Sequence, residues 1–380
     1  MLILGIETSC DDTAMAVLEV KSNKTKEIKV LTSVISSQLK THAAFGGIVP
    51  NLAAREHSKN LAPVLECVLK ETNLTMEQID LIAVTSGPGL IPSLLVGTAF
   101  AKALAYKYNK PIIGTNHIAG HIYSNWLKPI GISSKLPSFA KASAGKQNSK
   151  LFPTLNLVVS GGHTELILMT GHGKYKRLGQ TRDDAVGEAF DKVARLLGLG
   201  FPGGPAVSAL ADKVKSKKPK EKVNLPRPML HSKDFDFSFS GLKTAVFYLL
   251  RDWGKAGVKL TDPLRAAVCH EFQKAVTEVL VTKTLHAAEK YKVKTIALAG
   301  GVSANKLLGR TLTECGEKLG IKTLVPEMIY TMDNAAMIAL AGYIAYVSKK
   351  VKAKDRKEGA DLSRRNSWQR VKADANWEIV

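Results

Sequence analysis

The sequence predicts an α/β protein made of two similar halves with a cleft between them. Two observations carry this. The order strand, turn, strand, strand, helix occurs twice along 380 residues without a letter-level repeat. Apolar runs also end repeatedly in glycine turns, and ligands in α/β sheets bind at the carboxyl ends of strands. The length agrees, since roughly 100–200 residues per domain gives two or three domains.

Residues 2–8 read as the first strand, followed by the polar turn "TSCDD". "TAMAVLEV" (13–20) and "IKVLTSVI" (28–35) read as the next two strands, and 57–71 as a helix containing Pro63. "DLIAVTSGPG" (80–89) reads as a buried strand closed by a Gly-Pro-Gly turn. The next helix shows Leu95, Val96, Ala99, Phe100 and Ala103 at helical spacing. "PIIGTNHIAGHI" continues as a short strand and a helix. The order then restarts with "TLNLVVS" (154–160), the turn "GGHT", "ELILMT" (165–170) and "KYKRLG". A helix over 184–197 carries the apolar stripe Val186, Phe190, Val193 and Leu197. Helices follow near 241–250 and 264–290. "KTIALAGGVSAN" (294–305) is a strand, a glycine turn and a helix start, and the last helix begins at Asp333. Residues 131–152 are rich in Ser, Lys and Ala with little periodicity and read as an exposed insertion. Residues 349–380 read as a basic, aperiodic tail apart from Trp368 and Trp377.

Composition narrows the function classes. Hydrophobic residues make up 45% and mean hydropathy is −0.02, an ordinary globular balance. No apolar run reaches the ~20 residues of a membrane span. "MLILGIET" opens as a strand with no signal-peptide pattern, so a cytoplasmic location is expected. Cys10, Cys67, Cys269 and Cys315 form no CxxC pair, which excludes a zinc knuckle or redox dithiol of that spacing. The formal charge of +21 points to a polyanionic partner such as nucleic acid. Much of it sits in Lys135–Lys150, Lys213–Lys222 and Lys349–Lys372.

Several short stretches carry candidate chemistry. In "VVSGGHTEL", Ser160, Gly161 and Gly162 join two strands and can bring backbone N–H groups up to a phosphate. A plain glycine hairpin is the alternative. "LAGGVSAN" places Asn305 at a helix start, to contact a nucleoside or simply to cap. "GFPGGP" (200–205) is a third glycine cluster, or a loop. Asp184, Glu188, Asp191 and Arg195 lie opposite the apolar stripe of their helix. That face is a solvated one with an Asp191–Arg195 pair, or one where Asp191 accepts from ribose hydroxyls. Asp11 and Asp12 follow the first strand, as turn formers or as proton-handling acids. Asp333 is an N-cap or a ligand. His117 and His121 share one helical face, but "HIAGH" lacks the Glu of HExxH, which excludes that metalloprotease class.

The strings "LGIETSCDDT", "GGIVPNLAAREH", "TSGPGL", "NHIAGH", "VSGGHTEL", "DDAVGEAFDKVARLLGL", "PGGP", "DFSFSGLKT", "LAGGVSAN" and "MDNAAM" occur in this order. Together they resemble the tRNA threonylcarbamoyladenosine transferase (TsaD) family, formerly labelled glycoproteases, over roughly 1–130 and 153–348. The resemblance implies a two-lobed actin/sugar-kinase-like α/β fold, with duplicated mixed-sheet halves and a central nucleotide cleft. The N-terminal lobe would be 1–130 with the histidines, then the insertion 131–152. The C-terminal lobe with a helical subdomain would be 153–348, then the tail 349–380. The implied reaction moves a threonylcarbamoyl group from L-threonylcarbamoyl-AMP to the adenosine just 3′ of the anticodon in tRNAs reading ANN codons, releasing AMP.

By the same resemblance, one divalent metal, Fe(2+) by preference or Zn(2+), is held by His117, His121 and Asp333. Substrate contacts fall on Val158, Val159, Ser160, Gly161, Gly162, Asp191, Gly204 and Asn305. From the residues themselves, Asp11 in the turn after the first strand is the candidate for proton handling. Partners would be tRNA, a degenerate paralogue of TsaB type and a small P-loop ATPase of TsaE type. The chain departs from the family at Asn116, where a His is common, at Ser208 in place of an Asp, and at Thr331-Met332 in place of Cys-Thr. A kinase of the same fold and a non-catalytic scaffold are the competing readings. The scaffold paralogue lacks the metal histidines.

Overall fold

The computed structural model describes residues 1–21, 27–135, 151–216, 223–355 and 367–379. The chain divides into two compact units. One comprises Met1–Leu151, Thr170–Tyr175 and Pro326–Val380, and the other Phe152–Met169 and Lys176–Val325.

In the first unit, β1 (Leu2–Glu7), β2 (Asp12–Lys21) and β3 (Glu27–Ser37) form an antiparallel meander. After them come α1 (Leu39–Ala43), α2 (Pro50–Thr72), β4 (Leu81–Gly87), α3 (Ile91–Lys107), β5 (Ile112–Asn116), α4 (His117–Ser124) and β6 (Ser133–Lys135). The sheet order is β5-β4-β1-β2-β3-β6, with β1, β4 and β5 parallel. Pro50 lets α2 start earlier than residue 57, because a proline in the first helical turn leaves no N–H unpaired.

α3 buries a different face from the one its large apolar residues suggest. Leu94, Gly97, Thr98, Ala101 and Ala105 are inside, and Leu95 is 54% exposed. Close approach decides this, since a Cβ at Gly97 would collide with the Thr8 hydroxyl.

In the second unit the strands are β7 (Thr154–Val159), β8 (Thr164–Gly171) and β9 (Lys174–Gln180). Next come α5 (Val186–Leu196), α6 (Gly203–Ala211), α7 (Ser240–Lys255), α8 (Asp262–Lys290), β10 (Thr295–Ala299), α9 (Lys306–Lys318) and β11 (Lys322–Leu324). The order β11-β10-β7-β8-β9 repeats β5-β4-β1-β2-β3, with β10 parallel to β7 and β11, and β7 antiparallel to β8. The duplication therefore lies in topology, not in letters. Val186, Phe190, Val193 and Leu197 are buried in this unit's core, as their spacing requires. "GFPGGP" is a loop only as far as Pro202, the N-cap, because Gly203 opens α6.

The last helix, α10 (Ala335–Asp355), runs past 348 and packs on the first sheet rather than the second. A Cβ at Gly5 would strike the Ala335 carbonyl, and one at Gly342 would strike the Ala83 methyl. Small residues on both sides let helix and sheet approach closely. The expected tail is also partly structured. Val371 and Ile379 are each 5% exposed, and Trp368 meets Tyr106 edge-on at 5.7 Å. Within the expected insertion, Ser133–Lys135 pairs with β3. Phe152, at the insertion's other end, is 5% exposed, and residues 136–150, with much of the three basic segments, lie outside the described residues. Among the described residues no helix is long and apolar enough to cross a membrane.

Candidate functional site

The first cluster forms where β1, β5 and the start of α10 end close together in the first unit. Asn116 closes β5 and caps α4, accepting from the Ala119 amide at 3.1 Å. One helical turn then separates His117 from His121, whose rings meet edge-on with centroids 4.7 Å apart. Asp333 Oδ1 lies 3.5 Å from His117 Nε2 and 3.1 Å from His121 Nε2. One ligand atom from each of the three residues fits within a 4.8 Å group. The helix-capping bond expected of Asp333 is made by Asn334, which accepts from Met337 N at 2.9 Å.

His117 is oriented from behind. Its Nδ1 donates to Glu7 Oε2 at 3.1 Å and lies 3.2 Å from Ser9 Oγ. Glu7 also accepts from Thr85 Oγ1 at 2.7 Å and from the Ser9 amide at 2.5 Å. A carboxylate behind an imidazole fixes its tautomer and presents the other nitrogen forward. His121 is wholly buried, and its Nδ1 has no hydrogen-bond partner. Its Nε2 faces Asp333 without hydrogen-bond geometry, so the 3.1 Å approach is electrostatic only. Buried polar atoms are normally paired. The forward nitrogens of His117 and His121, with the Asp333 carboxylate, fit a divalent cation of borderline softness.

Charge around the cluster shifts several groups. Burial pulls the His117 imidazole down, but Asp333 and Glu7 outweigh it and raise its pKa to about 9. Burial raises Asp12 to about 7, against a lowering bond from Ser37. Asp11 is raised by burial and then by Asp333. The loop bearing these acids is anchored by His57, whose Nε2 donates to the Cys10 carbonyl at 3.1 Å while Nδ1 accepts from Thr13 Oγ1 at 2.8 Å. Burial lowers the His57 pKa, which favours this neutral tautomer.

Sequence reasoning passed over Glu7, Ser9 and His57. The available signals were an acid ending the apolar run "LILGIE" and a histidine on the buried face of α2.

The raised His117 pKa gives a testable consequence. Without metal, the protonated ring stabilises the fold fully below about 6.5, and that stabilisation is lost as pH rises toward 9. A cation needs the neutral ring, so about one proton should leave per ion bound near pH 7.5, and affinity should climb with pH up to about 9. Calorimetric titration in buffers of different ionisation enthalpy counts that proton.

The second cluster lies at the carboxyl ends of β7 and β10 in the second unit. Val158 and Val159 are buried in β7, and Gly161 and Gly162 are exposed with open space around them. Ser160 donates its amide to the His163 carbonyl at 2.8 Å, so that N–H is used inside the turn and, of the three turn amides, those of Gly161 and Gly162 are the candidates for a phosphate. Gly187 N donates to Ser160 O at 3.2 Å, which holds the turn against the first turn of α5. Gly300, at φ +88°, lies so close to the Val159 carbonyl that a side chain would collide.

Asp191 Oδ1 accepts from the Gly203 amide at 2.7 Å and thereby joins α5 to α6, where Gly204 has open space. Burial raises the Asp191 pKa, partly offset by that bond. Asn305 takes the capping role, accepting from Leu308 N at 3.0 Å. Its Nδ2 donates to Ser208 Oγ at 3.0 Å and Gln273 Oε1 at 2.9 Å. Ser208 thus sits in a side-chain network rather than as an isolated departure. Asn305→Ala should cost ~1 kcal/mol of stability through the lost cap, read as a lower urea midpoint.

The chain matches the family profile "TsaD: tRNA N6-adenosine threonylcarbamoyltransferase" over residues 29–149 and 130–340. It is 46% identical to the tRNA N6-adenosine threonylcarbamoyltransferase of Thermosipho africanus, covering 91% of this chain and 94% of that protein. Identity to the Thermosipho melanesiensis protein of the same name is 48%, covering 90% and 94%. Among solved structures, full-length HypF in its phosphate- and nucleotide-bound form aligns with a TM-score of 0.54 at 12% identity, over 91% of this chain and 46% of HypF. That likeness concerns the fold.

Proposed function

The chain belongs to the tRNA N6-adenosine threonylcarbamoyltransferase family, and from this premise we propose the reaction in which it takes part. The threonylcarbamoyl group moves from L-threonylcarbamoyl-AMP to the exocyclic amine of the adenosine 3′ of the anticodon. A C–N bond forms, the bond from carbonyl carbon to phosphate oxygen breaks, AMP leaves and the amine loses a proton. The observation that carries this reading is the group His117, His121 and Asp333, with Glu7 behind His117.

These three residues are the proposed ligands, with Fe(2+) favoured and Zn(2+) the alternative. A cation bound there would supply Lewis-acid polarisation and a hold on the threonyl group. The exposed Gly161–Gly162 backbone would face the phosphate of the donor. A carboxylate has lone pairs for several donors, so Asp191 can keep Gly203 and also accept from a ribose hydroxyl. Gly204 lets a nucleoside approach the first turn of α6, and Asn305 shapes that end of the site through Ser208 and Gln273. Asp11 is the proposed proton acceptor, since its raised pKa makes it a stronger base than an ordinary carboxylate. The net charge of +21 suits a tRNA substrate. A TsaB-type paralogue and a TsaE-type ATPase are the proposed partners.

Incubation with purified threonylcarbamoyl-AMP tests the reading. AMP release should depend on tRNA and on the partners. ATP turnover with phosphorylation of a small acceptor, independent of tRNA, would instead support a kinase.

A further inference from the structure

We propose that the C-terminal segment 367–379 positions the histidine helix α4 by holding its capping residue Asn116, so that the end of the chain tunes cation affinity. This rests on the proposed metal role of His117 and His121.

The segment is fastened from the start of β5 to the end of β4, beside Asn116 at the end of β5. Ile112 N donates to Ser367 Oγ at 3.3 Å, and Val371 enters the core of this unit. Asp374 N donates to the Ser86 carbonyl at 2.7 Å, and Gly89 N donates to the Ala375 carbonyl at 3.3 Å. At Gly87, φ is +151° and a Cβ would collide with the Asp374 carbonyl, so the chain passes directly over this residue. Gly87 is the register partner of Asn116.

Asn116 is used at both ends of its amide. Oδ1 caps α4 through Ala119 N, and Nδ2 donates to the Trp377 carbonyl at 3.0 Å. The two bonds fix which way the amide faces and hence the entry angle of α4, whose first residue is His117. Beyond Asn116 the segment does not pack tightly on the helix. A pocket of about 240 Å³ lies there, lined by Ala119 and Tyr123 of α4 and by Trp377 and Ile379. The Asn116–Trp377 bond is the direct link from the segment to the residue that caps α4.

The test uses the purified chain and Zn(2+) alone, with affinity read by competition against a chelating indicator. Three variants are compared: Asn116→Ser, a chain ending after Lys372, and the two combined. Serine keeps a capping oxygen but has no amide to reach Trp377. The truncation leaves Trp368 and Val371 in place. Each single change should weaken Zn(2+) binding about tenfold, in the range of lost supporting bonds around metal ligands. The combined variant should be no weaker than either single one, because both remove the same bond. Wild-type affinity in a folded truncated chain, or losses that multiply in the combined variant, would overturn the proposal. If the truncated chain does not fold, Asn116→Ser in the full chain decides alone, and wild-type affinity overturns it. Failure of the wild-type chain itself to bind Zn(2+) or Fe(2+) would refute the metal role instead.

Discussion

His121→Ala should lose cation affinity by more than about a hundredfold and show no detectable threonylcarbamoyl transfer. Losing a supporting bond around a metal ligand costs about 10–100-fold, and a direct ligand should cost more. His121 is the more informative of the two histidines because it is wholly buried and makes no hydrogen bond with either ring nitrogen. Deleting it from the metal-free chain removes no hydrogen bond, so the metal-free melting temperature should fall by what the cavity and the lost approach to Asp333 cost. The stabilisation that added cation confers on the wild type should vanish. Full activity of His121→Ala in metal-free buffer would show that the cluster has no catalytic part. Melting curves with and without Zn(2+), taken beside transfer assays, separate the two effects.

The second large effect is expected at Glu7. Glu7→Gln keeps the shape and an acceptor oxygen but removes the charge behind His117. Affinity for the cation should fall about 10–100-fold, with the three ligands intact. The same change should lower the His117 pKa, because Glu7 is one of the two carboxylates holding it up to about 9. The number of protons released per ion near pH 7.5 should then drop below the wild-type value. A purely structural role for Glu7 would reduce stability without altering that proton count.

Much of the fold could be read from the letters because periodicity and glycine turns are local. The first two strands follow from continuous apolar runs, the third from its alternation, and the α5 stripe from helical spacing. What escaped depends on distance between backbones. α3 turns its small face inward because Gly97 sits against Thr8, and hydrophobicity by itself selects the larger residues. α10 joins the first unit because Gly5 and Gly342 allow contact, and no periodicity states which sheet a helix covers.

At the site, the pairing of His117 with His121 follows from spacing, while for Asp333 the residues leave cap or ligand open and the family resemblance points to the ligand. Glu7 escaped because one buried acid after an apolar strand looks like any strand end. Asn305 shows the converse. Its cap and the Ser208–Gln273 network are what a helix-start asparagine ordinarily does, so any contact with a nucleoside has to coexist with them.

The most direct measurement takes unmodified tRNA reading an ANN codon and supplies threonine, bicarbonate, ATP, a donor-making synthase and the partner proteins. The tRNA is then digested to nucleosides and weighed. With the wild-type chain, an adenosine carrying one added threonylcarbamoyl group should appear, and with His121→Ala it should not. Unmodified adenosine with the metal-loaded wild-type chain, under conditions where a characterised relative modifies the same tRNA, would contradict the account.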